Sequence, residues 1–477
     1  MSLIIQYLPS TVAIIFGLLQ DMVLRLHTMT PGIYIISILC IVGTLNVMPT
    51  PRQDYISRVK ETRDSHETIK ALQRMVKVDG AGSWPPKATH RDSWPKALQP
   101  YHDIFQELAA LISVDTVSTN DEINQSRRLE YRKRLQRLLK ERINLEAVQS
   151  VFAISDQAGS TGLQGVACNG FFACIANLRH GFRWGTVPIV KVAQEEKIID
   201  FPQELDIPWA FLQRRYGVNS QGGNLMSNFH CNFDSNGELV YKLNNGMAEP
   251  VPSAEYNLVY SFTGTEKESL PVYYHLAQAI AAFERNQKQQ CSQQLAQVNW
   301  HLRNTMRVYY EYVVSSKIPH SLFVGYIQGF HGWAAGKFVD GKFKEYDGLS
   351  GGHLILFNLL DGFFGFEHFL NDESRLNYIP ATQREFIESV KKHGFREEAE
   401  RAGDVEVKKQ LDGILKQLRT FRSAHKTRTN RYMSVERPER VVMTAGASIP
   451  KGGAKGTAQD LAKSVDDALA KQLKNTV

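Results

Sequence analysis

At 477 residues, with 43% apolar and 22% charged side chains, the chain can hold a large core or two lobes, and it is too apolar for wholesale disorder. Its net charge of +7 is mild and spread out. Basic residues gather at 127–142 and 416–431, each with apolar residues at three- and four-residue spacing. That pattern reads as a solvated helix face, and no nucleic-acid partner is expected. Five cysteines (Cys40, Cys168, Cys174, Cys231 and Cys291) include no C-x-x-C pair, and a chain this size needs no disulfide framework. The expectation is a reducing compartment, with Cys168 and Cys174 as core thiols.

Residues 2–19 and 31–48 are both apolar, and the second run has 18 residues without a charge. A helix needs roughly 17–20 such residues to cross a bilayer. Positive charge flanks the run on both sides, and no small-residue cleavage site follows it. The expectation is a retained membrane anchor in residues 1–50, holding the rest of the chain on the cytoplasmic face of a membrane such as the endoplasmic reticulum. The alternatives are a buried helix or a mis-called start codon, which would leave the chain cytoplasmic. Residues 51–95 are polar with several prolines and read as a linker followed by an irregular wrap.

Helical periodicity dominates from Gln99 onward. Residues 102–112 carry an apolar stripe at i, i+3, i+4 and i+7, and 129–151 repeat it with Arg/Glu pairing. Residues 163–175 predict a buried helix, and 267–316 predict long ones. Short strands are expected near 197–201 and 239–242. No glycine-rich phosphate loop and no repeat of 20–50 residues occurs. The expected fold class is all-α: a smaller helical domain over 96–260, a large helical-bundle domain over 261–433, and a flap loop with a C-terminal helix over 434–477.

Several short motifs follow one another in order. GFRWG opens at Gly181, FPQELDIPWAFLQRRYGV at Phe201, HSLFVGYIQGFHGW at His320 and GLSGGH at Gly348. YIPATQREFI opens at Tyr378, RSAH at Arg422 and AKGTAQD at Ala454. This order and spacing resembles the indoleamine 2,3-dioxygenase family, all-helical haem proteins that open the indole ring of tryptophan with O2. The resemblance runs from about Pro95 to the end and is strongest after Ser321.

The resemblance implies an oxidoreductase of the dioxygenase type, with haem b as cofactor and O2 as cosubstrate. It places Phe182, Leu322, Ile327, Ser350, Gly351 and Thr457 around a substrate pocket. It places Gln383, Arg384 and His353 around the cofactor. Where tryptophan-degrading members have Phe and Arg against the substrate, this chain has Leu322 and Ile327. Losing that Arg removes the fork that pairs with an amino-acid carboxylate, so a modified indole is the expected substrate. His331 stands where the family has a serine, while Asp361 and Arg422 are kept.

Gln383 occupies the position of the family's haem-ligating histidine, and a glutamine amide is a poor donor to ferrous haem. The remaining histidines to consider are His393, His425, His368 and His353. His393 lies ten residues past Gln383, about 15 Å along a helix axis. Two functions are therefore expected as alternatives. One is an enzyme of specialised indole metabolism; the other is a haem-free relative with different chemistry or a binding role. A monomer is favoured.

Overall fold

The computed structural model describes residues 52–157, 162–433 and 458–476. Helix accounts for 69% of the structure and strand for 4%, so the protein is all-α. The apolar runs 2–19 and 31–48, and with them the expected anchor, lie outside the described residues, as does Thr457. Among the described residues no helix is long and apolar enough to cross a membrane.

Residues 51–95 are not a linker. They contain helices α1 (Arg52–Glu61) and α2 (Glu67–Val78). The few apolar residues of α2 fall at helical spacing, so Ile69, Leu72, Met75 and Val76 are all buried on one face. The expected stripe at 102–112 lies in α3 (Gln99–Ile112). The stretch 129–151 is two helices, α4 (Asp121–Arg142) and α5 (Leu145–Ser155), because Asn144 caps the second by accepting from the Ala147 N–H.

The buried helix expected at 163–175 is α6 (Gly165–Trp184). It ends at Gly185, whose φ of +69° is left-handed and whose missing Cβ would meet Arg128 Cγ at 2.7 Å. After α7 (Gln203–Tyr216) come the two long helices α8 (Val251–Glu284) and α9 (Lys288–Tyr312). The boundary expected at residue 260 falls inside α8, and the described residues from Tyr55 on form one compact unit.

The expected strands at 197–201 and 239–242 are single bridges, Ile198 to Gly336 and Phe233 to Leu239. The two named strands are β1 (Ala335–Val339) and β2 (Lys342–Tyr346), an antiparallel hairpin. The tight turn through Asp340 and Gly341, both at positive φ, allows it. Three helices complete the site: α10 (Ile355–Phe363), α11 (Ala381–Lys392) and α12 (Val405–Met433). The last, α13 (Ala458–Asn475), packs on α12.

Two apolar clusters carry most of the core. One gathers α3 to α7 around Phe171, Phe172 and Trp209. The other gathers α1, α2, α8 to α12 and Trp84.

Candidate functional site

A cavity of about 270 Å³ lies among α8, α9, α10, α12 and α13. Helical spacing builds its walls, since residues three and four apart share a face. Leu258, Ser261, Phe262 and Thr265 come from α8; Thr305, Met306 and Tyr309 come from α9. Phe421, Arg422, His425 and Thr429 come from α12, and Val465, Leu469 and Gln472 of α13 close the cavity. The lining is mostly apolar and aromatic, with Phe229 and Phe357 adding rings.

One wall holds a buried ion pair. Arg422 donates to Asp361 Oδ1, and the two side chains are 5% and 2% exposed. Burial pushes the Asp361 carboxyl up, while Arg422 pulls it back. The C-terminal helix completes this network: Arg422 also donates to Thr476 Oγ1, and Gln472 Nε2 donates to Asp361 Oδ2 at 3.4 Å. The lining carries one arginine, already paired, and no lysine. A ligand carboxylate therefore finds no uncommitted cation among these residues.

Three of the sequence-expected residues, Ser350, Gly351 and His425, line this cavity. Ser350 Oγ accepts from the Gly352 N–H at 3.1 Å, and the Ser350 N–H donates to His353 Nδ1 at 3.0 Å, a reciprocal cap that shapes the glycine turn. His425 stacks flat on Phe421 at 5.7 Å, and burial lowers its pKa to about 4, so it is neutral at pH 7.

The others lie elsewhere. Phe182 packs on Phe201 at 5.2 Å beneath the Arg132 guanidinium. Ile327 is fully buried in a small cluster with the lining residues Leu258, Ile318 and Tyr432, and Leu322 packs against that cluster, but neither Ile327 nor Leu322 is in the lining.

The residues expected around haem do not fit it. Gln383 is 4% exposed, its Nε2 lies 3.6 Å from Met226 Sδ, and it sits beside the buried Asp79 carboxyl, which burial raises to a pKa of about 6. It does not line the cavity. Arg384 Nη1 donates to the carbonyls of Gly217 (2.9 Å), Leu376 (3.3 Å) and Ile379, which ties the guanidinium to the backbone of these segments. His353 Nδ1 accepts from Ser350, so Nε2 carries the proton and donates to Ser374 Oγ at 3.0 Å. Neither nitrogen is left for iron. His368 lies outside the lining, and burial lowers its pKa to about 4.

His393 belongs to a separate cluster with His66 and Glu284, whose ligand atoms lie within 4.8 Å of one another. His393 Nδ1 meets Glu284 at 2.5 Å and Nε2 meets Glu67 at 3.2 Å. His66 Nδ1 accepts from the Thr68 N–H at 3.2 Å, which puts its proton on Nε2, facing Glu284 at 3.0 Å. A metal-binding imidazole needs the opposite arrangement, with the ring N–H pointing away from the ion. The cluster is a hydrogen-bonded clasp joining the ends of α2, α8 and α11.

Sequence reasoning missed most of the aromatic lining. Phe421 and His425 are i, i+4 on α12, and Leu258, Ser261, Phe262 and Thr265 follow helical spacing on α8, but that signal marks any buried face. His331, noted only as a replacement, lines the cavity, is 3% exposed, and has no hydrogen-bond partner on either ring nitrogen among the described residues. No protein-family model and no curated protein matches this chain.

Proposed function

We propose that the chain binds a small, neutral, largely aromatic molecule of the indole class in this cavity, and acts on it or responds to it without a haem ligated at residue 383. The observation that carries the reading is the composition of the cavity wall. Aromatic rings surround a space of about 270 Å³, and the lining arginine is paired with Asp361. Such a space is just below the roughly 300–1,000 Å³ of pockets for drug-sized ligands, so one flat bicyclic molecule suits it. A free amino acid would bury its carboxylate with no counter-charge, which costs several kcal/mol.

The dioxygenase reading keeps one observation in its favour. Ser350, Gly351, Asp361, Arg422 and His425, which the resemblance singles out, all line one cavity. Against it stands Gln383, packed on Met226 and Asp79 away from that cavity.

Two measurements on the purified full-length chain separate the readings. The haem-free reading expects saturable indole binding by calorimetry, and no stoichiometric Soret band when reduced protein is titrated with haem. A saturable band that shifts with carbon monoxide, or cleavage of free tryptophan to N-formylkynurenine, would overturn it in favour of the oxygenase.

A further inference from the structure

The residues around His331 form a mount. His331 ends a π turn (Phe323–Ile327) followed by a 3-10 turn (Gln328–His331), and irregular helical turns of this kind recur at functional sites. Four successive carbonyls there are occupied. The Gly223 N–H donates to His180 Nε2 at 3.1 Å, so His180 Nδ1 bears the proton and donates to Phe330 O at 2.7 Å. Trp184 Nε1 donates to Phe330 O and Gly332 O at 2.9 and 3.2 Å. Arg183 Nε donates to Trp333 O at 3.1 Å, and the Leu349 N–H donates to His331 O at 3.3 Å.

His180, Arg183 and Trp184 are i, i+3 and i+4 on α6, so one rigid helix face grips the backbone on both sides of His331. The imidazole on this mount has two unpartnered nitrogens, with Phe229 4.8 Å away at an interplanar angle of 85°. A buried polar group left unpaired costs free energy, and the held backbone keeps this ring at the cavity wall.

We propose that His331 is the hydrogen-bond anchor of the cavity, pairing with the polar edge of a flat, neutral aromatic ligand. The assignment rests on the reading of the cavity as a small-molecule site. Burial and the neighbouring His180 hold the ring neutral. A neutral imidazole offers one donor and one acceptor nitrogen, so it matches either a ring N–H or a bare ring nitrogen on the ligand. Its place at a resemblance position occupied by serine fits a change of ligand with the wall otherwise kept.

Calorimetric titration of the full chain with indole, quinoline and naphthalene tests this. The three have similar flat shapes and present, respectively, a ring N–H, a bare ring nitrogen and no polar edge. The wild-type protein should favour indole or quinoline over naphthalene by about tenfold, the size of one good hydrogen bond. His331→Leu should erase that preference while binding naphthalene as well as the wild type does. His331→Gln, which keeps a donor and an acceptor, should retain part of it. Naphthalene binding in each variant reports an intact cavity. An unchanged preference in His331→Leu overturns the anchor and leaves the cavity reading standing. Failure of all three probes to bind the folded wild-type chain overturns both.

Discussion

Arg422 and Asp361 show how much one residue pair can carry. Both are buried, and their partners come from α10, α12 and α13, so neither charge has water to fall back on. Removing one partner strands the other, which costs about 3–5 kcal/mol, whereas replacing both with apolar residues of similar volume can be neutral. Arg422→Ala should therefore lower unfolding free energy by about that amount in urea titrations, and Arg422→Met with Asp361→Leu should recover most of it. Equal losses in the single and double variants would show that the pair is not coupled as its geometry implies.

Gln383 supplies the second residue-scale prediction. Because its side chain is packed against Met226 Sδ and beside Asp79, a histidine there would face a carboxylate in the core and no opening. Gln383→His should bind no more haem than the parent chain in a Soret titration. A new carbon monoxide-sensitive band would mean that position 383 borders a haem-sized space. Its sequence context alone, P-x-x-Q-R-x-F, marks the position but not what surrounds it.

At the scale of elements, the C-terminal helix α13 packs on α12 and covers one side of the cavity. α13 follows residues 434–457, which lie outside the described residues, and it contributes Val465, Leu469 and Gln472 to the cavity wall. Leu469 is 5% exposed, so burying a carboxylate in its place costs several kcal/mol unless the helix leaves. Leu469→Asp should undock α13, weaken indole binding at least tenfold, and raise amide exchange in α13 while α8 and α9 stay protected. Exchange spreading equally through all three helices would show that α13 is part of the cooperative core.

The same scale shows which elements were legible. A stripe of period 3.6 marked α3 and the pair α4 and α5, an apolar run marked α6, and composition marked α9 and the second half of α8. α1 and α2 went unread because their polar residues outweigh a narrow stripe of Tyr55, Val59, Ile69, Leu72 and Met75 that only the large cluster explains. The β hairpin was missed because the turn at Asp340–Gly341 joins strands whose exposed Phe338 and Phe343 give no inside-outside alternation.

Over the whole molecule, buried histidines set the pH dependence. Burial lowers the pKa of His180, His230 and His353 to about 3, and of His275, His301, His368 and His425 to about 4, from 6.5. Above pH 6.5 these rings are neutral in both folded and unfolded chains. As pH falls from 6.5 toward 4, the unfolded chain takes up protons that the folded one refuses. Each such ring then removes about 1.4 kcal/mol of stability per pH unit.

Asp79 and Glu266 work the other way. Burial raises them to about 6 and about 7, so they favour folding as pH falls through that range. The histidines outnumber them, so stability should drop by on the order of 10 kcal/mol between pH 6.5 and 4.5, comparable with the whole stability of a typical domain. A circular-dichroism acid titration should show cooperative unfolding between pH 6 and 4. A flat signal to pH 4 would refute this account of the buried rings.

The sequence by itself determined the helical class and the positions of most long helices, because each depends on an apolar period along the chain. It also marked residue 383 as altered. Only the tertiary structure decided that Gln383 faces Met226 and Asp79 and not the cavity, that Arg384 Nη1 is held by backbone carbonyls and both His353 nitrogens are engaged, and that α13 lines the cavity. Those outcomes depend on which groups from distant segments meet, and a local pattern records that a side chain is buried without recording what it is buried against.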